Sequence, residues 1–366
     1  MMMRAAVLSK GGVTVESVPG PVPATDDDAL VRVLRAGVCN TDLELIDGYM
    51  DYKGILGHEF VGKVESCESR PDLVGRRVCG DINVACNSNR CGVCALDETG
   101  ETERVERRKR NHCPRRTVMG ILGRSGCFCE WMVLPTRNLH VVPDGVTDEE
   151  ACFAEPLAAA LRVVEQQLVS RSHRRVAVLG DGKLGLLISA AMMTYLMERS
   201  SSDTEPLEVL ACGRHAKKLD LLRGTAKAAA SACAGLTLRL VDTTKEEGKE
   251  ALRAAAGTCD CAVEATGSPL GFQQACSLLH PLGTLVLKTT CSGSTTLNTA
   301  PIVIDELKVV GSRCGPIDLA LELLPRIKRH FDLTSMVEAT LPLEDISRAL
   351  ERAREKGTLK VAVDMS

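Results

Sequence analysis

The stretch that most constrains this chain is Gly180-Asp181-Gly182-Lys183-Leu184-Gly185, set between the apolar runs Val176-Ala177-Val178-Leu179 and Leu186-Leu187-Ile188-Ser189-Ala190-Ala191. Physically this is a strand, a tight glycine turn and a helix whose N-terminus stays open. Such a turn lets backbone N–H groups approach a pyrophosphate, and the helix dipole favours its negative charge. From about residue 174 to 312 short apolar runs alternate with helical stretches. Strands are expected at Val176–Leu179, Leu207–Ala211, Leu236–Val241, Cys261–Glu264, Thr284–Leu287 and Lys308–Val310. Helices are expected at Ala216–Leu222 and Leu270–Leu279, and a surface loop at Glu198–Pro206. That alternation predicts an α/β fold with a doubly wound parallel sheet.

The remainder follows other rules. Residues 1 to about 85 carry short β-type runs broken by Gly and Pro, including Ala29–Leu34, Phe60–Glu65 and Arg77–Cys79, and Glu130–Pro135 returns to that pattern. Repeated short strands at this spacing predict a partly closed β structure. A helix is expected from Asp148 to Val169 with Thr147 as its N-cap. Past 313, helices at Asp318–Ile327 and Leu343–Lys356 lead to a last strand, Leu359–Val363. With 366 residues the chain is comfortable for two domains. A net charge of −3 argues against bulk binding to nucleic acid or a membrane surface. No apolar run reaches the ~18–20 residues that span a bilayer, and Met1–Leu8 lacks a signal-peptide layout, so a cytoplasmic protein is expected. Aromatics make up only 2% of residues, which leaves the core to Leu, Val, Ala and Ile.

The chain has 17 cysteines. Without a leader, so many thiols point to metal ligands and buried fillers rather than disulfides. Cys67, Cys212, Cys233 and Cys276 belong with the fillers. Two groups cluster. The first joins Cys39-Asn40-Thr41-Asp42 to Gly57-His58-Glu59, with Glu155-Pro156-Leu157 further along. A catalytic zinc needs three protein ligands and an open position; Cys39 and His58 offer two, and Glu155 or Cys152 the third. Asp42 or Glu59 is placed to hold the second ring nitrogen of His58. The second group is Cys86, Cys91, Cys94 and Cys113, spaced C-x4-C-x2-C-x18-C in a polar segment. Four cysteines, two of them as CxxC, suit a closed structural zinc, with His112 as a substitute ligand.

The stretches Ala36–Leu43, Gly57–Gly62 and Glu155–Ala158 resemble the zinc-containing medium-chain dehydrogenase/reductase (alcohol dehydrogenase-like) family. The glutamate at the third position is similar to its polyol, threonine and glucose dehydrogenase branches. The resemblance implies a GroES-like catalytic domain over 1–157 and 313–366, with a structural-zinc lobe near 86–116, and a Rossmann domain over 158–312. It implies a catalytic zinc held by Cys39, His58 and Glu155, with Glu59 beside it exchanging with the water ligand. Thr41 would take the substrate alcohol's proton. Where many members place a histidine five residues after the zinc cysteine, this chain has Glu44, which leaves the far end of the proton relay open. The structural-zinc spacing is also longer than in the family, with 97–110 resembling an insertion. Its basic run, Arg104–Arg110, is read as a solvated loop rather than a nucleic-acid patch, because no aromatics interleave.

In the nucleotide half, Gly180, Gly182, Lys183, Leu184 and Gly185 would cradle the pyrophosphate. An NAD-selective site ends its second strand with an acid that binds the ribose 2′-hydroxyl. Here Gly213 stands there and Arg214 follows. A guanidinium can grip a 2′-phosphate, so NADP is favoured with NAD possible; a stacked Arg214 would leave dual specificity. Lys360 resembles the family's basic residue near the pyrophosphate, and reads equally as a snorkelling surface lysine. Together these features imply zinc-dependent hydride transfer between an alcohol or polyol and NADP or NAD, acting as a homodimer or homotetramer. The alternatives are a zinc-free quinone or enoyl reductase, which Cys39 and His58 argue against, and a zinc-stabilised binding homologue that has lost turnover.

Overall fold

A computed structural model describes residues 1–88, 90–95, 111–199, 205–232, 235–289 and 296–365. The basic run 104–110, most of the loop expected at 198–206 and Cys233 lie outside the described residues. The chain divides into two compact units, one of Met1–Glu155, Pro316–Leu324 and Met336–Ser366, the other of Pro156–Gly315 and Pro325–Ser335.

The first unit is β-rich. Its main sheet runs Leu139–Val141, Arg77–Gly80, Glu59–Ser66, Asp28–Gly37, Lys360–Asp364, Val337–Pro342, with Trp131–Pro135 also paired to Asp28–Gly37. Met2–Ser9 pairs with Gly12–Pro19 on one side and Gly54–Ile55 on the other, and a small sheet joins Asn83–Val84, Thr117–Met119 and Gly123–Arg124. Alternation in Asp28–Gly37 turns Ala29, Val31 and Val33 into the core while Arg32 faces solvent. Phe128, Phe153, Leu45, Leu56 and Leu134 are among the largest side chains closed off from solvent.

The second unit holds a six-stranded, all-parallel sheet in the order Leu236–Asp242, Leu207–Gly213, Arg175–Leu179, Cys259–Glu264, Leu279–Leu287, Lys308–Gly311. The first strand in sequence, Arg175–Leu179, is central, and the order reverses beside it. Ligands of such sheets bind at that switch, outside the carboxyl ends of the strands. The helix Lys183–Glu198 is buried from Gly185 through Thr194, as its nearly continuous apolar sequence requires. The described cysteines are free thiols, and Cys67, Cys212 and Cys276 are buried.

One expected helix is broken. The stretch predicted to run from Asp148 to Val169 forms Asp148–Ala151 and Ala154–Glu165. Pro156 has no N–H to donate to the Cys152 carbonyl, so a continuous helix would lose that bond and crowd the proline ring. Thr147 does cap the first piece: the Glu150 N–H donates to its hydroxyl at 3.2 Å, and Glu150 returns a carboxylate to the Thr147 N–H at 2.8 Å. The stretch expected as one helix over Ala216–Leu222 tightens after Leu219 into a 3₁₀ turn, Asp220–Leu222, before the helix Arg223–Ala232. Among the described residues, no helix is long and apolar enough to cross a membrane.

Candidate functional site

In the first unit, Cys39 ends the loop after Asp28–Gly37 and begins the helix Asn40–Ile46, while His58 precedes the strand Glu59–Ser66. Two loops far apart in sequence must therefore be fastened together, and Asp42 does this. Its fully buried carboxylate accepts from the Cys39 N–H at 2.8 Å and from the Gly57 N–H at 3.2 Å. Asp42 Oδ1 also lies 3.3 Å from His58 Nδ1, although not aligned as a hydrogen bond. Burial opposes a charge on His58, but Asp42 and then Cys39 outweigh it and hold the imidazole well above its ordinary pKa. Gly57 sits at a φ of 94°, and a side chain there would strike the Phe128 ring, so the turn that presents His58 needs a glycine.

The ligand atoms of Cys39, His58 and Glu59 all lie within 4.8 Å of one another. Glu155 is not in that group; it opens the helix Ala154–Glu165. Thr41 places its hydroxyl 3.8 Å from the Cys39 sulfur. The donor set is a thiol, an imidazole and a carboxylate, with Glu59 Oε1 buried and without a hydrogen-bond partner. A buried orphan acceptor of this kind is costly unless a cation meets it, so the residues fit a zinc ion.

Lys360 is drawn into the first unit rather than out to its surface. It is 2% exposed, forms an ion pair with Glu59 Oε2, and donates to the Val38 carbonyl at 3.3 Å. The Phe153 ring lies 5.7 Å from its ammonium. It is thus neither a snorkelling surface lysine nor a free cation. The reason is electrostatic: a buried Glu59 carboxylate needs a countercharge, and the last strand brings one. Burial works against the Lys360 charge, yet Glu59 and then Cys39 prevail and raise its pKa. Gly37 leaves the room, because a Cβ there would press on both the Glu59 carboxylate and the Lys360 ammonium.

Cys86, Cys91, Cys94 and Cys113 form the second cluster. Their sulfurs are separated by 3.7 Å (Cys86–Cys94), 3.9 Å (Cys91–Cys113) and 3.5 Å (Cys86–Cys113). A tetrahedral ion with Zn–S bonds of about 2.3 Å has edges near 3.8 Å, so the spacing fits a closed S4 zinc site. His112 is not in the cluster. The N–H groups of Val93 and Cys94 pull the Cys91 thiol down to about 6, whereas burial pushes Cys94 up to about 12.

In the second unit the glycine turn has the form the motif requires. Gly180 adopts a φ of 117°, and a Cβ on it would strike the Ala265 carbonyl. A Cβ on Gly185 would strike the Gly180 carbonyl, so the helix starts against the turn itself. Gly182 caps the helix Lys183–Glu198 without a side-chain bond and has open space where a Cβ would stand. A helix start of this kind, opened by a glycine with space beside it, fits a dinucleotide pyrophosphate. The strand Leu207–Gly213 ends beside this turn. There Asp181 Oδ2 accepts from the N–H groups of Arg214 and His215, each at 2.6 Å, and lies 3.0 Å from His215 Nδ1. A carboxylate therefore lies beside the end of the second strand although residue 213 is a glycine.

The alcohol dehydrogenase GroES-like domain matches residues 25–144. An L-threonine 3-dehydrogenase of Streptomyces avermitilis is 30% identical over 280 residues, 73% of this chain and 71% of that protein. A D-arabitol-phosphate dehydrogenase of Enterococcus avium is 24% identical over 352 residues, 93% and 91% of the two chains. Among solved structures, a zinc-binding dehydrogenase from Sinorhizobium meliloti 1021 bound to NADP superposes with a TM-score of 0.75 at 25% identity, each chain covered completely. With the GroES-like unit, the parallel dinucleotide sheet and these relatives together, the chain belongs to the zinc-containing medium-chain dehydrogenase/reductase family.

Proposed function

We propose that this protein is a zinc-dependent oxidoreductase that moves a hydride between an alcohol or polyol CH–OH group and NAD or NADP. The observation that carries the reading is one chain holding both a thiol–imidazole–carboxylate trio and an open glycine turn. When bound, zinc supplies Lewis-acid polarisation of an alcohol or carbonyl oxygen, and the dinucleotide supplies the hydride acceptor or donor.

The chain's own residues do the rest. Asp42 fixes the Cys39 and His58 loops in one arrangement by accepting from both backbones. Cys39 and His58 provide two zinc ligands, and a carboxylate provides the third. Glu59 stands nearest, but Lys360 already neutralises it, which weakens it as a ligand. Glu155 is therefore proposed for that role, with Glu59 exchanging beside the metal. Thr41, with its hydroxyl 3.8 Å from the Cys39 sulfur, accepts the substrate's proton. Glu44, whose carboxyl is pushed up by burial and by Asp47, stands where many family members have the relay histidine. Gly180, Gly182, Lys183, Leu184 and Gly185 hold the pyrophosphate.

The same reading makes the substrate a small alcohol, polyol or its carbonyl product, and the working protein a cytoplasmic homodimer or homotetramer. A screen of sugars, polyols and hydroxy amino acids with both dinucleotides, alongside zinc analysis and size-exclusion chromatography, tests it. Glu155→Gln should lose catalytic-site zinc while Glu59→Gln keeps it. A Cys39→Ser protein that retained full dehydrogenase activity after metal removal would overturn the reading.

A further inference from the structure

We propose that Asp181, inside the glycine turn, makes this protein select the dinucleotide that lacks a 2′-phosphate. The inference rests on the dinucleotide half of the reading above and names which of the two cofactors the site takes. The end of the second strand is where doubly wound nucleotide folds meet the adenosine ribose. In this chain that point is shaped like an anion seat: the consecutive N–H groups of Arg214 and His215 converge on one oxygen atom at 2.6 Å each, with His215 Nδ1 at 3.0 Å. Convergent backbone donors of this kind hold phosphates and carboxylates alike. The seat is filled by the chain's own carboxylate.

A 2′-phosphate entering there meets a fixed negative charge and finds its two backbone donors already engaged. Asp181 is 8% exposed, so water screens that repulsion poorly. A free 2′-hydroxyl, in contrast, can donate to a carboxylate. Gly213 belongs to the same arrangement. A Cβ on it would overlap Asp181 Cβ and its carboxyl group, so an acid at the strand end and an acid in the turn exclude one another. The absence of an acid at 213 follows from its presence at 181. The one residue that argues for a 2′-phosphate, Arg214, is exposed, where a guanidinium contributes little to an ion pair.

Isothermal titration of the full, zinc-loaded chain tests this without any turnover. The probes are NAD+, NADP+, 5′-AMP and adenosine 2′,5′-bisphosphate, applied to wild type, Asp181→Asn and Asp181→Ser. Wild type should bind NAD+ and 5′-AMP at least about tenfold tighter than their 2′-phosphorylated counterparts. Both variants remove the charge, and Asp181→Ser also withdraws the carboxylate from the Arg214 and His215 N–H groups, so both should shift that ratio by at least about tenfold toward the phosphorylated ligands while still binding NAD+. Wild type that prefers NADP+ and the bisphosphate overturns the proposal whether or not the variants fold. So does an unchanged ratio in variants that bind NAD+ as wild type does. Binding of no dinucleotide at all overturns it together with the dinucleotide reading, whereas selective NAD+ binding without turnover on any alcohol supports it and counts against the dehydrogenase alone.

Discussion

Replacing Lys360 with methionine isolates the load carried by the buried ion pair beside the zinc trio. Methionine keeps much of the volume and the unbranched stem, so the change is mainly one of charge. Lys360 and Glu59 are 2% and 1% exposed. Removing one member of such a pair leaves an uncompensated buried charge, which costs about 3–5 kcal/mol. Phe153 adds a smaller contribution, because its ring at 5.7 Å loses a cation. For a unit of roughly 200 residues each kcal/mol moves Tm by about 2–4 °C, so the transition of the first unit should fall by roughly 6–20 °C. Differential scanning calorimetry at a fixed zinc concentration reads this. The double variant Lys360→Met/Glu59→Gln should recover part of the loss, because both charges are then gone. The sign with pH also follows. The folded pKa of Lys360 is raised, so its contribution is fully present below the unfolded value of about 10.4 and is lost as pH rises through the higher folded value. The gap between wild type and K360M should accordingly be flat up to about pH 10 and narrow above it. A K360M protein within about 1 kcal/mol of wild type at pH 7 would refute the argument, as would a double variant that loses the full sum of the singles.

Other perturbations follow from the same geometry. Cys113→Ser should lower the metal content from about two zinc ions per chain to about one, and chelation of wild type should expose reactive thiols; an unchanged zinc stoichiometry would count against the S4 site. Gly185→Ala should weaken dinucleotide binding by at least about tenfold, because its Cβ strikes the Gly180 carbonyl, while zinc content stays at the wild-type value; unaltered NAD+ affinity would show that the turn tolerates a side chain. Asp260 Oδ2 accepts from the Arg174 and Arg175 N–H groups at 2.8 and 2.9 Å. Burial opposes its charge, but those bonds and His280 prevail and depress its pKa. Its contribution is therefore present above about pH 3.9 and is lost as pH falls through the folded value. Urea midpoints of wild type and Asp260→Asn should differ at pH 7, and the gap should narrow as pH falls below about 3.9; a gap independent of pH would exclude this linkage.

What the sequence made legible was local. The run Val176–Leu179 predicts its strand because four apolar residues before a glycine turn have few other uses, and the observed strand, Arg175–Leu179, differs by one residue. Cys39 and His58 were recognisable because thiol and imidazole carry metal chemistry wherever they stand. The helix break at Cys152–Phe153 was hidden because the alanine-rich stretch after it raises helix propensity on both sides, while a single missing N–H at Pro156 decides the outcome. Glu59 and Lys360 were each visible, but nothing in their spacing ties residue 59 to residue 360. The strand pairing of Lys360–Asp364 with Asp28–Gly37, itself paired with Glu59–Ser66, makes them neighbours.

Two positions share one physical logic. At Lys360 and Arg214, both cations at family-like positions, a carboxylate from a distant element engages part of the residue, the side chain in the first and only the backbone N–H in the second. Glu59 takes the Lys360 ammonium and Asp181 takes the Arg214 backbone N–H. In each case a glycine makes the space, Gly37 for the first pair and Gly213 for the second. A buried or half-buried charge must be compensated within a few ångströms, and the cheapest compensator is whichever side chain the fold already delivers there. A glycine where a motif expects a functional side chain is consequently evidence about its neighbour. At 213 it marks where Asp181 enters, so a carboxylate lies beside the strand end although residue 213 carries none.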